Sequence, residues 1–292
     1  MTNGFLCVNK PSSISSNKVL GILKYNLRKI GFNDKIGHMG TLDPLATGVL
    51  PVCLGRATRL FDYSLDKIKV YEATFLFGAS SDTLDVDGDV ILDPNFTMPS
   101  EYDIRAALNT QIGSIEQIPP MYSAKSINGV RAYTLARKGV DVELQPKRVV
   151  IHDIRLLETH DNEIRVEITC GGGTYVRSIG RDVAKHLGTT AVMTSLIRKQ
   201  SGVFSLDNSI TLREIEENPS VVEDRIIPIS AFLSDYPAIK VTEEQKKKLL
   251  NGIRLASVCE QNVLTALYCE DELLGIATTD EEGKTFVKTW LL

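Results

Sequence analysis

Apolar residues three and four positions apart predict the first helix of the chain. A serine at position 15 or 16 can cap its N-terminus. The apolar stripe consists of Val19, Leu23, Leu27 and Ile30. The basic residues that stand largely outside this stripe are Lys18, Lys24, Arg28 and Lys29. The pattern therefore predicts a helix that packs one face and presents a basic one.

Two further helices are predicted by the same spacing. One opens at Ser100 and runs to about Gly113, and the other begins after the glycine triplet 171–173 and stops at Gly188. The inward residues of the latter helix are Val176, Ile179, Val183 and Leu187. Its other face carries cations every four residues, at Arg177, Arg181 and Lys185. We therefore expect a basic stripe on this helix.

Alternating apolar and polar positions predict strands at 70–77, 148–157 and 163–170. In the first strand one face consists of Tyr71, Ala73, Phe75 and Phe77. An apolar run precedes it at 49–54. Helices and strands mix without a regular βαβ repeat. This order favours an α+β fold with a central mixed, largely antiparallel sheet flanked by helices.

The pattern changes from about Pro237 to the end of the chain. A short helix is predicted at 242–250, and strands follow near 263–269, 272–278 and 284–290. We therefore predict two domains, one at 1–236 and a small, mostly β domain at 237–292.

Composition is that of an ordinary folded protein, with 43% hydrophobic and 24% charged residues in 292. No apolar run is long enough to span a bilayer, and the N-terminus has no signal-peptide pattern. We expect a soluble, cytoplasmic protein with no membrane partner. The five cysteines are scattered without metal-ligand spacing. They predict buried free thiols and no metal site.

Charge is distributed unevenly along the chain. The net charge is −4, but residues 1–80 carry ten basic and five acidic groups. Acidic residues concentrate at 211–235 and 270–282. Either an anionic ligand meets a positive face in the N-terminal part, or the surface there is a solvated mixture of charges.

A single carboxylate lies in the apolar, glycine-rich loop GHMGTLDPLATGVL at 37–50. Pro44 pushes Asp43 towards an extended conformation. Three glycines, Gly37, Gly40 and Gly48, allow sharp turns or the close approach of another molecule. The loop is either a fixed platform for a functional carboxylate or a turn in which the aspartate bonds its own backbone.

Other motifs narrow the chemistry. The chain lacks GxSxG, HExxH and GxGxxG, so no cofactor signature is present. The acidic run SDTLDVDG at 81–88 lacks the glycine and glutamate of a calcium loop and predicts a turn. The segment GGGTYVR at 171–177 either cradles a phosphate or makes a tight turn into a helix. Arg177 is unfavourable at a helix N-terminus unless an anion lies beside it.

Taken together, these motifs resemble the TruB family of tRNA pseudouridine-55 synthases. The resemblance covers about residues 4–235, and the final segment is only loosely similar to the PUA-like RNA-binding domain of that family. The segments that carry it are KPSSISSNKV at 10–19, GHMGTLDPLATGVLPVCLGRATR at 37–59, KVYEA at 69–73, SDTLDVDG at 81–88, PPMYSAKSINGVRAYTLARKG at 119–139 and GTYVRSIGRDVAKHLG at 173–188.

The resemblance implies a pseudouridine synthase fold, with a catalytic domain at 1–236 and a PUA-like domain at 237–292. It implies isomerisation of uridine 55 in the T loop of tRNA, without a cofactor, by a monomer that needs no protein partner. Two alternatives remain: a T-arm binding or folding protein that acts independently of catalysis, and a guide-dependent synthase acting on ribosomal RNA. Activity on bare T-arm transcript would exclude the guide-dependent reading.

The resemblance also implies the residues of the pocket. Asp43 is the catalytic carboxylate; it attacks the sugar carbon or the pyrimidine ring, or removes a sugar proton, and all three routes stay open. Arg177 pairs with Asp43 and holds it ionised. Tyr71 stacks on the flipped uracil and helps to remove the C5 proton, and Tyr175 and Leu196 line the pocket.

A further set of residues is implied in RNA binding. His38 takes up space inside the opened T loop, while Lys10, the 120–140 segment and the basic helix faces hold phosphates. The chain departs from the family pattern at two positions. Ser126 stands where the family commonly has lysine, and Ile197 stands where an LRR sequence supplies its first arginine. These departures predict lower RNA affinity without a change at the catalytic carboxylate.

Overall fold

The computed structural model of the chain describes residues 3–64, 67–122, 126–127, 130–131 and 144–292. Its helices are α1 (Ser16–Lys29), α2 (Glu101–Asn109), α3 (Val176–His186), α4 (Leu212–Glu217), α5 (Val221–Asp224), α6 (Ile229–Phe232) and α7 (Glu243–Leu250). Two short 3₁₀ helices follow one another at Gly55–Leu60 and Asp62–Ser64.

The described strands are β1 (Gly4–Lys10), β2 (Ile36–His38), β3 (Thr47–Leu54), β4 (Lys69–Phe77), β5 (Ala79–Ser80), β6 (Ile91–Leu92), β7 (Gly113–Gln117), β8 (Ser126–Ile127), β9 (Val130–Arg131), β10 (Lys147–His160), β11 (Glu163–Cys170), β12 (Ala191–Ser201), β13 (Phe204–Ser205), β14 (Ile210–Thr211), β15 (Ala238–Val241), β16 (Leu255–Ala256), β17 (Thr265–Cys269), β18 (Glu272–Thr279) and β19 (Lys284–Trp290).

A ten-stranded sheet forms the centre of the described molecule. Its main order is β14-β1-β3-β12-β4-β11-β10-β7, with β13 paired to β12 and β2 paired to β3. The pairs β1/β14 and β3/β12 are parallel, and the other pairs of this sheet are antiparallel. The predicted mixed, largely antiparallel sheet is confirmed.

Strand alternation gives this sheet two buried faces. In β1, Leu6 and Val8 belong to a core cluster shared with α1, α2 and α3, which we call the helical core. The alternate residues Phe5 and Cys7 belong to a second cluster. Because successive side chains of a strand point to opposite faces, the two clusters lie on the two sides of the sheet.

The second cluster joins the large sheet to a smaller one. The order of the small sheet is β15-β17-β18-β19-β16. We call the second cluster the inter-sheet core, because it combines Phe5 of β1 and Phe232 of α6 with Ala266 and Ile276 of the small sheet. The assignment of residues 237–292 as a separate RNA-binding domain stays a prediction.

Most predicted elements are present with close boundaries. Ser15 caps α1 by accepting a hydrogen bond from the backbone N–H of Lys18, and Ser100 caps α2 in the same way. Gly188 follows α3 with φ at +71°. The predicted end of α2 at about Gly113 was wrong: the helix ends at Asn109, and Gly113, with φ at +106°, begins β7.

No helix among the described residues is long and apolar enough to cross a membrane.

Candidate active site

The Asp43 loop connects β2 to β3 and is held from beneath by buried side chains. Ser16, at the start of α1, accepts from the Leu42 N–H and donates to its carbonyl. The turn at Asp43 is closed by its backbone carbonyl, which accepts from the Ala46 N–H at 3.1 Å. The carboxylate itself is one-third exposed and points to Arg177. The loop is therefore a platform for the carboxylate and not a turn in which the carboxylate bonds its own backbone.

Lys10 supports this platform and does not face solvent. Its side chain is fully buried, and Nζ donates to the carbonyls of Pro11, Pro44 and Ala46 at 2.8, 3.1 and 2.6 Å. An ammonium has three donors, so all of them are used. Burial lowers the pKa of Lys10 to about 8, against the opposing effect of Asp43. Lys10 thus supports the loop in the described structure, and its assignment to phosphate binding stays a prediction.

Arg177 forms an ion pair with Asp43, as the family resemblance implied. The distance from its Nη2 to Oδ2 of Asp43 is 3.0 Å, and its Nη1 lies 3.2 Å from Oδ2 of Asp85. The guanidinium also donates to the carbonyls of Thr83 and Tyr122. Its side chain is 7% exposed. These four partners explain how an arginine is accommodated, buried, in the first turn of α3.

Asp85 is a site residue that the sequence analysis missed. It lies in the acidic turn 81–88, its side chain is 4% exposed, and it accepts a hydrogen bond from Oγ1 of Thr83 at 2.6 Å. Burial raises the pKa of Asp85, while the Thr83 bond and Arg177 oppose the rise. No spacing in the sequence relates this turn to Arg177. The available signals were the cation at the helix N-terminus and the motif SDTLDVDG, one of the segments that carry the family resemblance.

A small cavity of about 130 Å³ opens beside the ion pair. Tyr71 of β4 and Leu196 of β12 line it from adjacent strands, and Tyr175 lines it from the start of α3. The side chain of Gln117 fixes Tyr175 by bonding both its N–H and its carbonyl. The structure thus brings four predicted pocket residues around Asp43.

Arg198 connects the pocket to the Asp43 loop and was also missed. It follows Ile197, is 1% exposed, and is among the largest fully buried side chains described. Its Nε donates to the Val49 carbonyl at 2.6 Å and its Nη2 to the Gly40 carbonyl at 3.2 Å. Burial raises the pKa of Tyr71, and a hydrogen bond and charge from Arg198 oppose that rise. Arg198 therefore positions the loop, and it lies close enough to Tyr71 to affect its pKa.

His38 lines a second, larger cavity of about 750 Å³ that also contains Asp43 and Arg177. Its buried Nδ1 has no hydrogen-bond partner in the described structure. Burial and the charge of Arg198 lower the pKa of His38. Its imidazole is therefore neutral and can fill space in the cavity. Its Nδ1 can still form a hydrogen bond at the cavity wall.

The prediction of a basic stripe on α3 was wrong, because the three cations do not form a continuous exposed surface. Arg177 is buried among the carboxylates, and Arg181 is turned to the Ile118 carbonyl and Asp182, so of the three only Lys185 is exposed. Ile197 is half-buried on β12. Most of the predicted phosphate-holding segment 120–140, including the side chain of Ser126, lies outside the described residues. Within the described ranges no group of residues has the composition of a metal site.

Solved structures with the same architecture identify the fold. A Cbf5-Nop10-Gar1 complex contains a chain that superposes with a TM-score of 0.74 at 23% identity, over 99% of this chain and 85% of that one. This chain therefore shares its fold with a protein of that complex.

The chain belongs to the TruB family of pseudouridylate synthases. The model of the N-terminal domain of that family matches residues 27–176. A tRNA pseudouridine synthase B of Clostridium tetani is 38% identical, over 98% of this chain and 99% of the relative. The protein of the same name in Anaplasma phagocytophilum is also 38% identical, over 92% and 90%.

Proposed function

We propose that this chain converts uridine 55 in the T loop of tRNA to pseudouridine, in the cytoplasm, with Asp43 as the catalytic carboxylate. The observation that carries the proposal is the Asp43–Arg177 ion pair at the wall of the small cavity. The names of the relatives, tRNA pseudouridine synthase B, support tRNA as the substrate.

The reaction is an isomerisation that balances without a cofactor. The N1–C1′ bond breaks, a C5–C1′ bond forms, the C5 proton leaves, and N1 takes up a proton. The salt bridge to Arg177 orients Oδ2 of Asp43, so the carboxylate meets an entering nucleotide in a fixed geometry. Attack on the sugar, attack on the ring and removal of a sugar proton all require this carboxylate, and an amide supports none of them.

The pocket residues position the uracil base. A uracil in the small cavity would lie between the Tyr71 ring and the Leu196 side chain, which project from neighbouring strands. Stacking there offsets the few kcal/mol needed to take a nucleotide out of the T loop. The Tyr71 hydroxyl is the group we assign to removal of the C5 proton, and the charge of Arg198 opposes the rise that burial causes in its pKa.

Replacement of Asp43 by asparagine tests the proposal. The variant keeps the shape of the side chain, and we expect it to fold, to bind tRNA and to make no pseudouridine. Mass spectrometry of a tRNA transcript after incubation measures the product, and a transcript with cytidine at position 55 identifies the site. Asp34→Asn changes an exposed carboxylate and is the matched control. Turnover by Asp43→Asn would contradict the assignment.

We also propose that the purified monomer suffices for activity. The solved complexes with this fold contain other proteins, Nop10 and Gar1, by their own description. Incubation of the purified chain with a bare T-arm transcript decides the point, with size-exclusion chromatography for the oligomeric state. Product formation supports independence of guide RNA and protein partners, and a strict need for either would overturn it.

A further inference from the structure

The outward face of α1 carries positively charged side chains that form no ion pair with the described residues. Lys18, Lys24 and Arg28 are exposed, and they take part in none of the ion pairs formed by the described residues. No aspartate or glutamate precedes Asp34 in the sequence. The face is therefore a patch of net positive charge whose natural counterpart is an anion.

A glycine lies within this basic face. Gly21 is exposed, and a Cβ built on it would have no atom within 4 Å. Packing therefore does not require a glycine here. An exposed glycine inside a helix lowers stability relative to alanine. With glycine at this position the helix is less stable than it would be with alanine, and its surface has a notch.

The notch is the floor of a groove of about 450 Å³. Tyr25, which is 66% exposed, forms part of its wall, and the Lys29 ammonium lies 4.5 Å from the centre of the Tyr25 ring. Lys29 also donates to Oδ1 of Asn26 at 2.8 Å, which fixes the ammonium in place. Lys18 lines the same groove. An aromatic ring beside ammonium groups is the combination that binds a nucleic-acid strand.

Helix α1 links the groove to the candidate active site, because residues at its start line the larger cavity and residues further along it line the groove. Ser15, Ser16 and Asn17 line the larger cavity that contains Asp43. Gly21 follows Ser16 by five residues, which is about 8 Å along the helix axis. A strand that places one nucleotide at Asp43 can therefore continue along the outer face of α1.

We propose that this face of α1 seats the RNA backbone, with a phosphate over Gly21 between Lys18 and Lys29. The inference rests on the proposed tRNA substrate and adds a binding site to it. Tyr25 packs against the adjoining sugar or base. Glu216 of α4 is the acidic residue in the lining of the groove, and it opposes the phosphate. An acidic protein surface is the competing occupant. If such a surface binds in the groove, substitutions of the groove residues leave tRNA kinetics unchanged.

Gly21→Gln separates this role from a structural one. Glutamine favours helix, carries no charge and fills the notch, so we expect a higher Tm. We expect an unchanged kcat at saturating tRNA, because no residue at Asp43 moves. KM rises about tenfold, because the backbone is kept from close approach. A higher Tm with wild-type KM would overturn the proposal.

Charge variants give a second, independent readout. Lys18→Gln should reduce by about one the slope of log Kd against log salt. Glu216→Gln should tighten tRNA binding, because it removes the opposing charge. Arg105→Gln on α2, which lines neither cavity nor groove, is the matched control and should leave the slope unchanged. An unchanged slope in Lys18→Gln would also overturn the proposal. If the wild type makes no pseudouridine, the proposed function fails. If the wild type is active and the groove variants bind tRNA as it does, only the proposed binding site fails.

Discussion

At the scale of single residues, the site depends on one buried cation shared by two carboxylates. Arg177 lies 3.0 Å from Asp43 and 3.2 Å from Asp85, but the two carboxylates differ in environment. The Asp43 carboxylate is one-third exposed at the cavity, whereas that of Asp85 is almost fully buried. Asp85 therefore anchors the arginine from the protein side and leaves the Asp43 carboxylate facing the cavity.

Asp85→Asn should change both activity and the pH dependence of stability. Burial raises the folded-state pKa of Asp85 above 3.8, so the folded protein holds this proton more tightly than the unfolded chain. The contribution of Asp85 to the free energy of unfolding therefore falls as pH rises from about 3.8 through the folded pKa. The variant lacks this fall. Because Arg177 loses one anchor, we expect kcat to drop about tenfold or more.

Urea unfolding of Asp85→Asn between about pH 4 and 8, with kcat at each pH, checks this expectation. Asp82→Asn alters an exposed carboxylate in the same turn and is the control. A pH dependence of stability identical to that of the wild type would show that Asp85 does not titrate in this way.

At the scale of elements, the Asp43 loop is shaped by two of its three glycines. Gly40 and Gly48 have φ of +95° and +96°, a region that side chains rarely adopt. Gly37 has no positive φ, and a Cβ there would meet nothing within 4 Å. The sharp turns that glycine allows are therefore present at Gly40 and Gly48 and absent at Gly37. A Cβ at Gly48 would overlap the backbone of Arg198, where β3 meets β12.

Gly48→Ala should therefore destabilise the protein by roughly 2–5 kcal/mol, the sum of backbone strain and overlap with Arg198. It should also lower kcat, because the same shift moves the Asp43 platform. Gly37→Ala should stay within about 0.5 kcal/mol of the wild type. Urea denaturation of both variants measures the difference, and equal stability would refute the steric account.

Periodicity predicted the elements better than it predicted their surfaces. The α1 stripe is buried at Val19, Leu23 and Leu27, because the sheet lies directly beneath the apolar face. The cations of α3 have the same regular spacing, yet Arg177 is buried. Spacing fixes the direction of a side chain on its own helix, but not what another part of the chain places opposite it.

At the scale of the whole molecule, the small sheet is anchored on the reverse face of the large one. The inter-sheet core combines apolar residues of both sheets. Polar contacts surround it: Arg56 and Arg59 donate to carbonyls of the last residues, and the hydroxyl of Tyr63 bonds that of Thr289 at 2.6 Å. Lys67 bonds Asp235 beside the rings of Phe232 and Tyr236, just before the predicted domain boundary.

A chain ending at residue 236 should be less stable than the full chain. Truncation uncovers Phe5, Phe232 and Leu233, which the small sheet helps to bury. We expect a loss of roughly 3–6 kcal/mol. Urea unfolding of the truncated and full chains measures it, and Tyr63→Phe, which loses only the bond to Thr289, should cost about 1 kcal/mol. Unchanged stability after truncation would show that the sheets are energetically independent.

The sequence by itself determined the elements, the class of fold and the loop that holds Asp43. These follow from local rules: periodicity, caps, glycine and proline geometry, and motifs in a fixed order. Only the tertiary structure decided that Lys10 is buried beneath the loop and that Asp85 shares Arg177. It also decided that Arg198 joins β12 to the loop. Such facts depend on residues far apart in the chain, and burial and pairing arise when folding brings them together.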